Sequence, residues 1–165
     1  MQKAIFLDRD GVINSDIGHY YIYRIEDFVI NDGIIPSLKL FAEAGYMLFI
    51  VTNQGGVAKG IYTEADVEKV HNHLLATLEK ENIKIEQIYF CPHHDSVAPC
   101  QCRKPSPYFI NQAIREFNID KERSYLIGDS PRDIQAAKAA GIKGIKIESN
   151  ENISTYCDQI LKEEI

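Results

Sequence analysis

The sequence has no excess of basic residues, no long apolar run and few cysteines, and each shortage closes off a class of function. Its 165 residues carry 18 Lys and Arg against 24 Asp and Glu, a formal charge of −6. That balance argues against a nucleic-acid groove or an anionic membrane surface as the main partner. No apolar stretch approaches the roughly 20 residues that a membrane helix needs. The opening MQKAIFLD also lacks the charged, apolar and small-residue zones of a secretory signal, so the expected address is the cytoplasm. No oligomeric state follows from the sequence, and a monomer is the favoured one. Repeats, low-complexity tracts and linkers are missing too, and the chain reads as one domain, residues 1–165, with a core of its own. Of the four cysteines, Cys91, Cys100 and Cys102 cluster, which in a reducing compartment points to a metal before a disulfide. Cys157 stands apart and reads as a small apolar residue.

What is present is an alternation of strand and helix patterns. AIFL, YMLFIVT, IEQIYF, SYLIGD and KGIKIE are short apolar runs of strand type. Between them lie helical periodicities. One runs from about Ile34 with Ile35, Leu38, Phe41 and Ala42 inward, and closes at Gly45. Another is opened by Thr63 and carries Val67, Val70, Leu74, Leu75 and Leu78 on one face. A third is started by Pro107, and a short Ala-rich one is capped by Ser130 and Pro131 and ended by Gly141. The closing KEEI reads as an exposed helix end. Such alternation predicts an α/β fold with a mostly parallel sheet covered on both faces, whose ligands sit beyond the carboxyl ends of the strands.

Polar residues end three of those strands: Asp8, Thr52 and Asp129. Asp8 and Asp10 lie two residues apart where the first strand gives way to Gly11, so pleating aims both carboxylates one way and Arg9 the other. One acid can attack as a nucleophile while the other carries a proton. Attack on a phosphate brings two anions together, a repulsion of about 4 kcal/mol at about 4 Å. Magnesium held by Asp8, the Asp10 carbonyl and Asp129 would offset it, with Asp133 supporting from behind. Lys104 would add a second positive charge and the Thr52 hydroxyl a hydrogen bond.

FLDRDGVIN, VTNQGG, CRKPSP and GDSPRDIQAAKAAGI, in that order, resemble the four motifs of the haloacid dehalogenase (HAD) superfamily over nearly the whole chain. The resemblance implies a three-layer α/β/α Rossmann-like fold and phosphomonoester hydrolysis through an aspartyl-phosphate. Asp8 would be the nucleophile, Asp10 the acid/base, Thr52 and Lys104 the phosphate stabilisers, and Asp129 the remaining magnesium ligand. The segments 11–33 and 53–63 are too short for a cap domain, which leaves an open site with specificity supplied by loops. By the same pattern Asn53, Gln54, Gly55, Gly56, Arg103 and Ser130 would contact substrate, with Arg9, Asn14 and Asp16 at the entrance.

Cys91-Pro-His93-His94 followed by Cys100-Gln-Cys102 gives C-x-H and C-x-C pairs on one loop, residues 91–102, and three thiolates with one imidazole suit a closed, structural zinc. His93 is the expected ligand, with His94 as its neighbour and possible substitute. A zinc loop running into CRKP is similar to the branch of the superfamily containing heptose bisphosphate and histidinol-phosphate phosphatases. The implied partner is therefore a small phosphorylated metabolite, with heptose bisphosphate ahead of histidinol phosphate. A non-catalytic phosphate-binding module and a nucleic-acid end phosphatase are the remaining alternatives. His71 and His73 read as surface or boundary residues of the long helix, and Tyr20, Tyr21 and Tyr23 as either a binding wall or a self-packed loop.

Overall fold

Short runs of Ile, Leu, Val and Phe, too brief for buried helices, become five strands in the computed structural model, which describes residues 1–165. They are β1 (Ala4–Leu7), β2 (Met47–Asn53), β3 (Gln87–Cys91), β4 (Tyr125–Gly128) and β5 (Lys143–Lys146). All pairings are parallel, in the order β3-β2-β1-β4-β5. The order reverses beside β1, so β1 and β4 part company beyond their last residues and leave the crevice such sheets use for ligands.

Alternation along the strands divides the core. Ile5, Leu7, Leu48, Ile50 and Ile127 face α1 (Ile34–Glu43), α2 (Glu64–Glu79) and α5 (Ser154–Leu161). Phe6, Phe49, Val51 and Leu126 face α3 (Tyr108–Phe117) and α4 (Pro131–Ala140). This is the three-layer α/β/α arrangement. Between β1 and α1 there are only isolated bridges and a 3-10 turn at Ile25–Asp27, so no cap covers the site.

Helix starts follow their caps. Thr63 and Asp66 form a reciprocal capping box on α2, and Ser130 and Asp133 another on α4, each contributing about 1 kcal/mol. Three local expectations change. The buried stripe of α2 is Val67, Val70, His71, Leu74 and Leu78, because a 3.6-residue period puts His71 inside and turns Leu75 outward. Ala42 of α1 is exposed, one position past the buried Phe41. KEEI lies beyond the end of α5 at Leu161. No helix is long and apolar enough to cross a membrane.

Candidate active site

β1, β2 and β4 deliver Asp8, Thr52 and Asp129 to one polar cavity of about 370 Å³, which has no hydrophobic residue in its lining. Lys104 reaches it from the loop before α3, and Ser130, Arg132 and Asp133 from the start of α4. The Lys104 ammonium is 3% exposed and uses all three protons: on Asp8 Oδ1 at 2.9 Å, Asp133 Oδ1 at 2.6 Å and the Val51 carbonyl at 2.6 Å. Burial alone works against that ammonium, but the Asp8 and Asp133 carboxylates outweigh it and hold its pKa above the ordinary lysine value. Asp8 moves upward, first through burial and then through the carboxylates of Asp133 and Asp129, with Lys104 opposing. Carboxylate oxygens of Asp8, Asp129 and Asp133 lie within 4.8 Å of one another. Asp133 is already engaged by Lys104 and the Ser130 N–H at 3.1 Å, which leaves Asp8 and Asp129 as the hard oxygen donors suited to magnesium.

Asp129 also fixes the backbone opposite it. Gly11 has φ +84° and a Cβ there would stand 2.1 Å from Asp129 Oδ2, so only glycine fits the turn after Asp10. Ser149, which carries no recognisable motif, donates to the same oxygen at 2.7 Å. Asp16 reaches the cavity rim, held by Asn150 Nδ2 at 2.8 Å.

Several residues expected at substrate are bonded to other residues, and of these Asn53 and Gln54 still line cavities. Arg9 and Asn14 do not line the entrance, since both are 0% exposed. A guanidinium without water must find protein acceptors. Arg9 donates to Asp10 Oδ1 at 3.0 and 2.8 Å, to the Ile22 carbonyl at 2.6 Å and to His71 Nε2 at 3.2 Å. Burial, helped by the Arg9 charge, pushes the His71 imidazole down to about 3, so it is neutral and can accept that bond. Asn14 Nδ2 donates to Asp10 Oδ1 at 2.9 Å. Gln54, 2% exposed, bonds Asp10, Thr52 and Tyr62. The Asn53 amide clamps the Lys104 backbone at both ends, at 2.9 and 3.1 Å, while its side of β2 still borders the cavity. Gly56 is buried under Tyr62, whose ring would stand 2.2 Å from a Cβ.

A second cavity of about 200 Å³ adjoins the first and shares Asp10, Asn53 and Arg132 with it. Gly55, Tyr20, Tyr21, Tyr62, His94 and Arg103 complete most of its wall. Tyr21 and Tyr23 also pack on Tyr62, so the tyrosine cluster both packs on itself and borders the cavity. Arg132 lies within GDSPRDIQAAKAAGI and Tyr62 outside the four motifs, and neither is legible as a cavity residue, because the start of α4 and the segment after β2 meet only in the fold.

Cys91 Sγ, at the end of β3, lies 3.6 Å from Cys100 Sγ and 3.0 Å from Cys102 Sγ, and His93 Nδ1 lies 3.4 and 3.3 Å from Cys91 and Cys102. Four ligands at zinc–donor lengths of about 2.0–2.3 Å around a tetrahedron would be about 3.5–3.8 Å apart; the donor set fits zinc in number and type, and its separations of 3.0 to 4.0 Å bracket that range. His94 is turned away, its Nδ1 bonded within its own turn to Ser96 Oγ at 2.7 Å. Arg103 Nη1 donates to the His93 carbonyl at 3.3 Å, which ties the thiol cluster to the second cavity.

An α/β/α sheet without a cap, with acids and a buried lysine at its crevice, defines a HAD-like phosphatase. A HAD-hydrolase-like family model matches residues 101–159. The chain is 46% identical to a D-glycero-alpha-D-manno-heptose-1,7-bisphosphate 7-phosphatase of Campylobacter jejuni, over 90% of this chain and 83% of that protein. It is 40% identical to a D-glycero-beta-D-manno-heptose-1,7-bisphosphate 7-phosphatase of Rhodopseudomonas palustris, over 98% and 92%. The crystal structure of a D,D-heptose 1,7-bisphosphate phosphatase from B. bronchiseptica, complexed with magnesium and phosphate, superposes with a TM-score of 0.89 at 26% identity, over 98% of this chain and 99% of that one. The chain belongs to the heptose-1,7-bisphosphate 7-phosphatase family of HAD-like hydrolases.

Proposed function

We propose that this phosphatase removes the 7-phosphate of D-glycero-D-manno-heptose 1,7-bisphosphate, using residues 1–165 as one hydrolase domain whose 91–102 loop holds zinc. The observation that carries the reading is the pair of adjoining cavities. One gathers the acids and Lys104; the other offers Arg103 and Arg132 to a second anionic group. A bisphosphate has an anion at each end. Histidinol phosphate carries an amine and an imidazole at its far end, which two guanidinium groups repel. The relatives' names agree with the bisphosphate.

In the first step an Asp8 oxygen attacks phosphorus, the phosphorus–ester oxygen bond breaks, and Asp10 gives its proton to the departing alkoxide. In the second, water attacks the same phosphorus, the bond to Asp8 breaks, Asp10 takes a proton from the water, and inorganic phosphate leaves. Lys104 stays beside Asp8 throughout and offsets the charge brought together there. Magnesium, which Asp8, Asp129 and the Asp10 carbonyl would hold, supplies further charge neutralisation at the phosphate. Thr52 donates to a phosphate oxygen from the end of β2. Zinc on Cys91, His93, Cys100 and Cys102 fixes the loop from which Arg103 and Lys104 extend.

The test is phosphate release, with magnesium present, from the heptose bisphosphate, histidinol phosphate and a phosphorylated oligonucleotide. The expected order of kcat/KM puts the bisphosphate first, and Arg132→Ala is expected to raise its KM. Faster turnover of histidinol phosphate or of the oligonucleotide overturns the assignment.

A further inference from the structure

Asp10 is bonded unevenly, and the asymmetry separates the duties of its two oxygens. Oδ1 accepts three donors, Arg9 Nε at 3.0 Å, Arg9 Nη2 at 2.8 Å and Asn14 Nδ2 at 2.9 Å. A carboxylate oxygen has about two lone-pair sites, so Oδ1 has no room for a proton. Oδ2 accepts a single bond, from Gln54 Nε2 at 3.1 Å, and keeps capacity to spare.

Both protons of the Gln54 amide are engaged. Its Nε2 donates to Asp10 Oδ2 and to Thr52 Oγ1 at 2.9 Å, while its Oε1 accepts the Tyr62 hydroxyl at 2.6 Å. A primary amide can turn over with little change of shape, and the reversed amide would aim its oxygen at the Asp10 carboxylate. Tyr62 opposes that reversal by donating to the amide oxygen. Tyr62 itself has little freedom: it stacks on Tyr23 at 5.0 Å, meets Tyr21 edge-on at 5.7 Å and rests on Gly56.

We propose that Tyr62 and Gln54 are positioning residues for proton transfer, with Tyr62 fixing the Gln54 amide and the amide aiming Asp10 Oδ2 as the oxygen that carries the proton. The inference rests on the phosphatase roles given above to Asp8 and Asp10. As the Asp8–phosphorus bond forms and the ester bond breaks, the proton moves from Oδ2 to the alkoxide; as water later attacks, a water proton returns to Oδ2. Oδ1 remains fixed to Arg9 and Asn14 during both transfers.

The experiment compares kcat/KM for the heptose bisphosphate, whose alkoxide needs a proton to leave, with that for para-nitrophenyl phosphate, whose phenolate does not. This constant covers events only up to departure of the leaving group. Tyr62→Phe is expected to lower the ratio of the two constants about tenfold, a part of what a positioned acid supplies. Gln54→Met removes the amide that aims Asp10 Oδ2 and is expected to lower it further; the bond to Thr52 that it also loses affects both substrates and cancels in the ratio. This variant also keeps the test available if Tyr62→Phe does not fold. An unchanged ratio in a folded variant, with both constants falling together, overturns the positioning role. An unchanged ratio in Asp10→Asn instead overturns the acid/base reading on which the inference rests.

Discussion

Replacing His71 by Gln is expected to remove most of an acid-side loss of stability. In the unfolded chain this imidazole titrates near its ordinary value of 6.5, whereas in the folded protein burial and then the Arg9 guanidinium hold it down to about 3. Between those values the unfolded chain binds a proton that the folded one refuses. Stability from this group is therefore complete above about pH 6.5 and declines as the pH falls toward 3. At about pH 5 the decline has reached about 2 kcal/mol, from about 1.5 pH steps at 1.36 kcal/mol each. A Gln side chain retains an oxygen for the Arg9 Nη1 proton, now 3.2 Å from His71 Nε2, and does not titrate. Urea unfolding of both proteins at about pH 7 and pH 5 isolates the effect, because the other titrating groups contribute to both and cancel in the difference. The variant is expected to lose about 2 kcal/mol less than the parent over that interval. Equal losses would refute the placement of a neutral His71 beneath Arg9.

Other perturbations test the rest of the site. Lys104→Met leaves Asp8 and Asp133 without their shared ammonium, and is expected to reduce stability by about 3 kcal/mol, read by thermal or urea unfolding, together with a collapse of turnover. A variant with parental stability would contradict the buried triad. Gly11→Ala places a methyl against Asp129 and strains a φ of +84°; magnesium titrations of activity should show half-activation about tenfold higher, a displacement costing about 1.4 kcal/mol. Elemental analysis should give one zinc per chain in the parent and much less in Cys102→Ser, with KM for the bisphosphate rising as Arg103 loses its anchor at His93. Lost zinc with unchanged KM would separate the loop from substrate binding.

The parts of the site legible in the sequence are those set by strand geometry or short-range spacing. Asp8, Thr52 and Asp129 end apolar runs, and a parallel sheet brings such ends to one rim. The gathering of Cys91, His93, Cys100 and Cys102 is legible because Cys and His pairs two residues apart on one loop come together without reference to the rest of the fold. Arg9 shows where this stops: pleating predicts a side chain aimed away from both acids, yet β1 ends at Leu7 and the Arg9 guanidinium bonds Asp10 Oδ1, with the returning loop at Ile22 and the buried His71 of α2 holding it in the interior. Gln54 and Asn53 lie in a recognisable motif, but which neighbours their amides satisfy depends on Tyr62 and on the Lys104 backbone. Ser149 has no local signature, and Arg132, though inside the motif GDSPRDIQAAKAAGI, gives no sign of its role, since the two reach the cavity from the segment after β5 and the start of α4.

Rapid mixing of enzyme with radiolabelled bisphosphate, acid quenching and peptide mapping asks directly whether phosphorus becomes bonded to Asp8. A hydroxylamine-labile phosphate on the peptide spanning β1, missing from Asp8→Asn, is the predicted result. Full turnover by Asp8→Asn, with no label trapped on the parent at any time, would contradict it.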